Sequence, residues 1–260
     1  MNKRVISLTI YYLNTIKRNK GRLIDIIAWP VLELVTFGFL SSYIREQSSA
    51  AIQTATIILG GLIFWHFFAR TMNEIIMQLY DDILSRNLNN ILITPLRLWE
   101  LISAMVIASL IKLSAHLFIV LPVSWILFRF NIYLLGPLAV LYVFILTAWG
   151  ISLGLITAAS HFIFGSRAGA ISWAIAGIIQ PFSLVFYPRS VLPQIAQQIS
   201  RLIPASYIFE AIRSQLLTNT VNLNDIYTAT ALTLGYIIVA ITIFSSAIQY
   251  SRKTGMIVRL

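Results

Sequence analysis

Apolar residues run almost unbroken in six places: 23–44, 53–78, 99–128, 137–162, 168–187 and 226–249. About twenty such residues, wound as a helix, cross the roughly 30 Å hydrocarbon layer of a bilayer. The pattern therefore predicts six transmembrane helices and an all-α membrane protein. Strand-type alternation is absent, which argues against a membrane barrel.

Three further stretches are amphipathic. In residues 1–22, Val5, Ile6, Leu8, Ile10, Tyr12, Leu13 and Ile16 recur at three- and four-residue spacing among Lys3, Arg4, Lys17, Arg18, Lys20 and Arg22. That is an interfacial helix. In residues 83–96, Ile83, Leu84, Leu88, Ile91 and Leu92 form an apolar face opposite Arg86, Asn87, Asn89 and Asn90, and Pro95 stops the helix. Such a helix serves equally as a connector along the membrane or as a docking surface. Residues 188–217 hold Pro188, Pro193 and Pro204. Each piece between these prolines is too short to span, so two short helices dipping into one leaflet are expected. Glu210 and Arg213 stand three apart on the second, in position to pair.

Composition fits this picture. Mean hydropathy is +0.82 and only 11% of residues are charged, against about 25% in soluble domains. No hydrophilic domain interrupts the apolar runs, so residues 1–260 read as one membrane domain. The first run is too long for a signal peptide and reads as a retained span. With no cysteine, disulfides and thiolate metal sites are excluded. The net charge of +10 suits anionic membrane lipid better than nucleic acid. Twelve of the 19 Lys and Arg fall in the four segments that share a side with the N-terminus, five on the other side and two within spans. The bias puts both termini in the cytoplasm, 83–96 inside and 188–217 outside, in a cell membrane.

The order of these features resembles a known family. A basic N-terminal helix comes first, then a loop helix closing on Ile93-Thr94-Pro95-Leu96. Phe186-Tyr187-Pro188, Leu192-Pro193, Pro204 and Glu210-x-x-Arg213 follow before the last span. Together they resemble the membrane (permease) subunit of a type-two ABC exporter (ABC-2-type transporter family). The resemblance implies export of a polysaccharide, lipid or drug. It implies a separate ATP-binding cassette ATPase in two copies, supplying ATP and Mg, and a second copy of this or a similar permease. By position it makes Arg86, Asn87, Leu88, Asn89, Asn90, Ile91, Leu92, Thr94, Pro95 and Leu96 the ATPase-coupling segment. Tyr11, Tyr12, Lys17 and Arg18 would belong to a gating helix. Tyr187, Pro188, Pro193, Pro204, Glu210 and Arg213 would cap the route outside. One departure stands out: Asn89-Asn90 occupies a place where members often carry an acidic residue.

Other constellations are weaker. No G-x-x-x-x-G-K-[ST] phosphate loop occurs, so ATP is not bound here by that route. Gly150-x-Ser152-x-Gly154 matches a nucleophile elbow but lies mid-span, where small residues four apart serve helix packing. His66, His116 and His161 have no metal-ligand spacing, and no metal site is expected. Asp25, Glu33, Arg70, Glu74 and Lys112 fall within predicted spans, where ionisable groups default to function. Asp25, Glu74 and Lys112 read as snorkelling at span ends, and Glu33 as lining a route or pairing between helices. Tyr142 and Trp149 are candidates to line the same route. Arg189, Arg201 and Arg213 are candidates for contact with lipid or cargo phosphate, with plain snorkelling as the simpler reading. The expectation is thus a permease without its own catalytic site. The alternatives are an ion-gradient-driven secondary transporter and an intramembrane peptidase using Ser152.

Overall fold

The computed structural model describes residues 3–18, 20–46, 49–130 and 135–254. Among these the chain is helical, with no strand. Ten α-helices follow in order: α1 (Lys3–Arg18), α2 (Lys20–Arg45), α3 (Ser49–Leu84), α4 (Leu88–Ile93), α5 (Leu98–Phe128), α6 (Leu138–Phe164), α7 (Gly169–Ile179), α8 (Gln194–Ser200), α9 (Pro204–Thr218) and α10 (Leu223–Thr254). Among the described residues four stretches are long and apolar enough to cross a membrane: Thr54–Leu84, Leu98–Phe128, Leu138–Phe164 and Leu223–Lys253.

The hub is α3. Its most apolar stretch is 72% buried, against 28% for α10, so α3 packs among helices while α10 turns most of its side chains outward. Leu62, Phe64, Phe68, Met72, Ile76 and Leu79 lie fully buried along it. α6 packs on α3 at close range. A Cβ on Gly150 would sit 2.6 Å from the Phe68 carbonyl oxygen, and one on Gly154 would sit 3.0 Å from that of Met72. Glycine lets the two backbones approach, the packing device of membrane helices. Beside this contact Trp149 stacks on Phe68 with centroids 4.1 Å apart.

The elements differ from the sequence expectation where the backbone turns. The 168–187 run is not one helix: α7 covers 11 residues between 3₁₀ turns Gly165–Ala168 and Gln180–Ser183. At about 16 Å, α7 does not cross a bilayer alone. Pro181 and the left-handed Leu184 end it. The 83–96 helix also divides. α3 continues to Leu84, Arg86 turns left-handed (φ 55), and only Leu88–Ile93 form α4. Thr94 is extended (ψ 151), as a residue before proline prefers. The 188–217 stretch does form two helices, but α8 has 7 residues and α9 has 15. Proline lies in the first turn of α9, and Ile208, Phe209 and Ile212 bury into the main core.

Candidate functional site: the α1–α4 assembly

α1 lies along α5 because its buried side chains, Val5, Thr9 and Tyr12, recur on one face. Tyr12 is 1% exposed. Its hydroxyl donates to Asp82 Oδ2 at 3.1 Å, and the Tyr11 hydroxyl donates to Asp82 Oδ1 at 2.7 Å. One buried carboxylate at the end of α3 therefore receives both phenols. Asn87 Nδ2 donates to the Tyr11 oxygen at 2.8 Å, tying the start of the loop to the same point. Burial, reinforced by the Asp82 carboxylate, pushes Tyr11 up to about 12 and Tyr12 well above its ordinary value. Both phenols stay protonated and act as donors.

The end of the loop is held by Arg4. Its guanidinium donates to the Pro95 carbonyl at 2.8 Å and lies 3.7 Å from Glu100 Oε2. That same Glu100 oxygen accepts the Arg97 backbone N–H at 2.8 Å, capping α5. So α1 staples both ends of 87–97 to α3 and α5. What faces outward is the rest: Ile93 is 83% exposed, with Arg86, Asn90, Thr94 and Pro95 exposed around it. Leu88 and Ile91 anchor α4 beneath, Asn89 and Leu96 are half-buried, and Asn90 donates to Asn87. The side chains of Lys17, Arg18 and Leu92 lie outside the described residues.

Between α7 and α10 a second cluster centres on Glu210. Oε1 accepts the Arg189 backbone N–H at 2.8 Å, and Oε2 pairs with Arg213 at 2.9 Å. Arg213 also donates to the carbonyl of the left-handed Leu184 at 2.8 Å. The Arg189 guanidinium donates to Ser200 and Ser206 and lies over the Tyr207 ring. Tyr187 donates to the Pro181 carbonyl at 2.7 Å. Arg189 and Arg213 are thus committed to holding α8 and α9, whereas Arg201 is exposed. Of the prolines, Pro204 is buried, whereas Pro188 is exposed, as is Pro193 at the start of α8.

Inside the bundle the ionisable residues meet. Glu33 on α2 is 3.3 Å from His66 Nε2, and the His66 and His116 rings stand edge to face 5.2 Å apart. Glu74 pairs with Arg70 on its own helix and with Lys112 of α5, the latter at 3.1 Å. The Lys112 side chain is 1% exposed. Glu74 and Lys112 therefore do not snorkel, and two of the three histidines lie side by side. Spacing carried a signal: His66, Arg70 and Glu74 are four apart on α3, and Lys112 and His116 are four apart on α5. The Asp25 side chain lies outside the described residues. Tyr142 and Trp149 are core residues rather than route-lining ones; Tyr142, fully buried, donates to Gln215 at 3.1 Å. Ser152 is spent on the Ala148 carbonyl, and His161 sits 3.3 Å from Ser172, so no serine–histidine pair forms at Ser152.

The family model described as ABC-2 type transporter matches residues 4–217, which contain α1, the stapled loop and the Glu210 cluster. The chain belongs to the ABC-2 type transporter family. No match was found among curated proteins. Membership makes this ABC-2 chain a multi-pass membrane protein and a permease component of an ABC transporter. Asp82, Arg4 and Glu100 are the residues of the ABC-2 loop assembly that sequence reading missed. Each contacts a partner more than 70 positions away or sits at a helix boundary without periodic mark.

Proposed function

We propose that this chain is the permease half of an ATP-driven exporter that moves a polysaccharide, a lipid-linked glycan or another amphipathic molecule out of the cytoplasm or inner leaflet. Two copies of a separate ATPase subunit, binding ATP and Mg, supply the energy, and two permease chains frame the route. The observation that carries this reading is the stapled loop. The 87–97 loop presents a protruding Ile93 and Pro95 on a base clamped at both ends, so force applied there reaches α1, α3 and α5 as rigid bodies. α8 and α9, locked through Glu210, cap the opposite end.

The test uses the full chain with and without its ATPase. Alone it hydrolyses no ATP; activity of the purified polypeptide overturns the reading. In the assembled complex, Ile93→Asp or a proline at Asn90 abolishes coupling between ATPase stimulation and transport, while dimers still assemble. Normal transport by both variants refutes the coupling role. A second reading, an ion-gradient-driven carrier, gains support from the half-buried Glu33 and the buried His66, Glu74 and Lys112. It requires transport by the chain in vesicles with a proton gradient and no ATPase.

A further inference from the structure

A cavity of about 180 Å³ opens between the ends of α2, α3 and α5, lined by Ser41, Ser42, Arg45, Thr56, Phe128 and Arg129 among others. α5 has 31 residues from Leu98 to Phe128, so this end lies about 45 Å from the α4 face. That is the thickness of a bilayer including both headgroup layers. The cavity therefore sits at headgroup level, opposite the coupling loop.

The backbone builds it. Arg129 takes left-handed φ 55, and its N–H turns back onto the carbonyls of Ser124 and Trp125. This places Phe128 and Phe130 inward and Arg129 between them, exposed. The Phe128 ring occupies the space where Gly38 lacks a Cβ, with ring atoms 2.1–2.5 Å from where that Cβ would be. Phe130 covers Gly60 in the same way at 3.3 Å. Over this apolar floor, Arg45 and Arg129 bring two guanidinium groups that make no ion pair among the described residues. The nearest acidic residue in sequence, Glu46, is exposed and pairs with neither. Ser41 is 1% exposed, and its Oγ has no protein partner. A buried hydroxyl with no partner among the described residues, beside two guanidinium groups with no ion pair among them, in a cavity of this size, matches an oxyanion.

We propose that this cavity binds the phosphate of an anionic phospholipid headgroup, with Arg45 and Arg129 on the phosphate oxygens and Ser41 donating from below. The site is independent of the direction of transport. Its acyl chains would run down the exposed apolar surface of Phe39 and Leu40.

The full chain, purified in detergent, is offered phosphatidylglycerol or phosphatidylcholine, and retained lipid is counted by native mass spectrometry. Inorganic phosphate is titrated in parallel by calorimetry. Wild type retains phosphatidylglycerol preferentially. Arg45→Gln with Arg129→Gln lowers that retention about tenfold or more, and the paired lysine variant restores much of it. Ser41→Ala, which suits a helix and leaves the fold intact, lowers it about threefold. Equal retention by wild type and the glutamine variant overturns the site. Saturable binding of inorganic phosphate, with no advantage of phosphatidylglycerol over phosphatidylcholine, overturns the lipid assignment in favour of a soluble anion.

Discussion

Asp82 is a single residue on which three chain segments depend: Tyr11 and Tyr12 of α1 donate to it directly, and Asn87 joins through Tyr11. Asp82→Ala leaves a buried phenol and a half-buried one without their acceptor. We expect it to lower stability by about 2–4 kcal/mol, the scale of two charge-assisted bonds, read as a fall in thermal unfolding temperature in detergent. The same contact has a pH signature. Tyr11 has an ordinary value of 10.0 and is held near 12 in the fold, so its contribution is complete below pH 10 and disappears as pH rises through 12. Tyrosinate absorbance of wild type against Tyr11→Phe should show one phenol titrating late. A Tyr11 that titrates at its ordinary value contradicts the Asp82 contact. The sequence marked both tyrosines but not Asp82, because an acid at a helix end looks like any solvated charge until a helix 70 positions earlier lies across it.

Among the elements, the α3–α6 pair depends on two absent side chains. Gly150 faces the Phe68 backbone, which cannot move without moving α3. Gly150→Ala should cost about 1–3 kcal/mol by overpacking, whereas Gly177→Ala, where a Cβ meets nothing, should be neutral or stabilising. Thermal unfolding of both variants in detergent checks the contrast; equal effects at the two glycines contradict the packing. Element existence was legible from hydropathy, and the long helices α5, α6 and α10 follow the apolar runs closely. Breaks were less legible. Arg86 and Leu184 are left-handed without being glycine or asparagine, so no local preference announced either turn. At Pro193 and Pro204, by contrast, proline marks the boundary in both sequence and structure.

At the scale of the whole molecule, α1 and α4 gather at one end of the bundle, while the anion cavity lies at the other end of α5. The absence of cysteine makes the topology directly measurable. Single cysteines at Asn90 and at Ile195 should label from opposite sides of intact cells or vesicles, with Asn90 reached only from the cytoplasm. Labelling of both positions from one side refutes the orientation on which the export proposal rests.

Sequence alone determined that this is an all-helical membrane protein. It placed amphipathic helices outside the long apolar runs and named the loop and proline motifs that the family match covers. Those features are local or periodic: an apolar run must avoid water wherever it packs, and proline breaks a helix whatever its neighbours. Only the tertiary structure decided which charges meet. Glu33 with His66, Glu74 with Lys112 and Arg4 with Glu100 are separated by 33 to 96 positions, and the pairing energy depends on which helix faces cross. Tertiary packing likewise moved Tyr142 and Trp149 from a supposed route into the core. An aromatic side chain reads the same on both faces of a buried helix until its neighbours are placed.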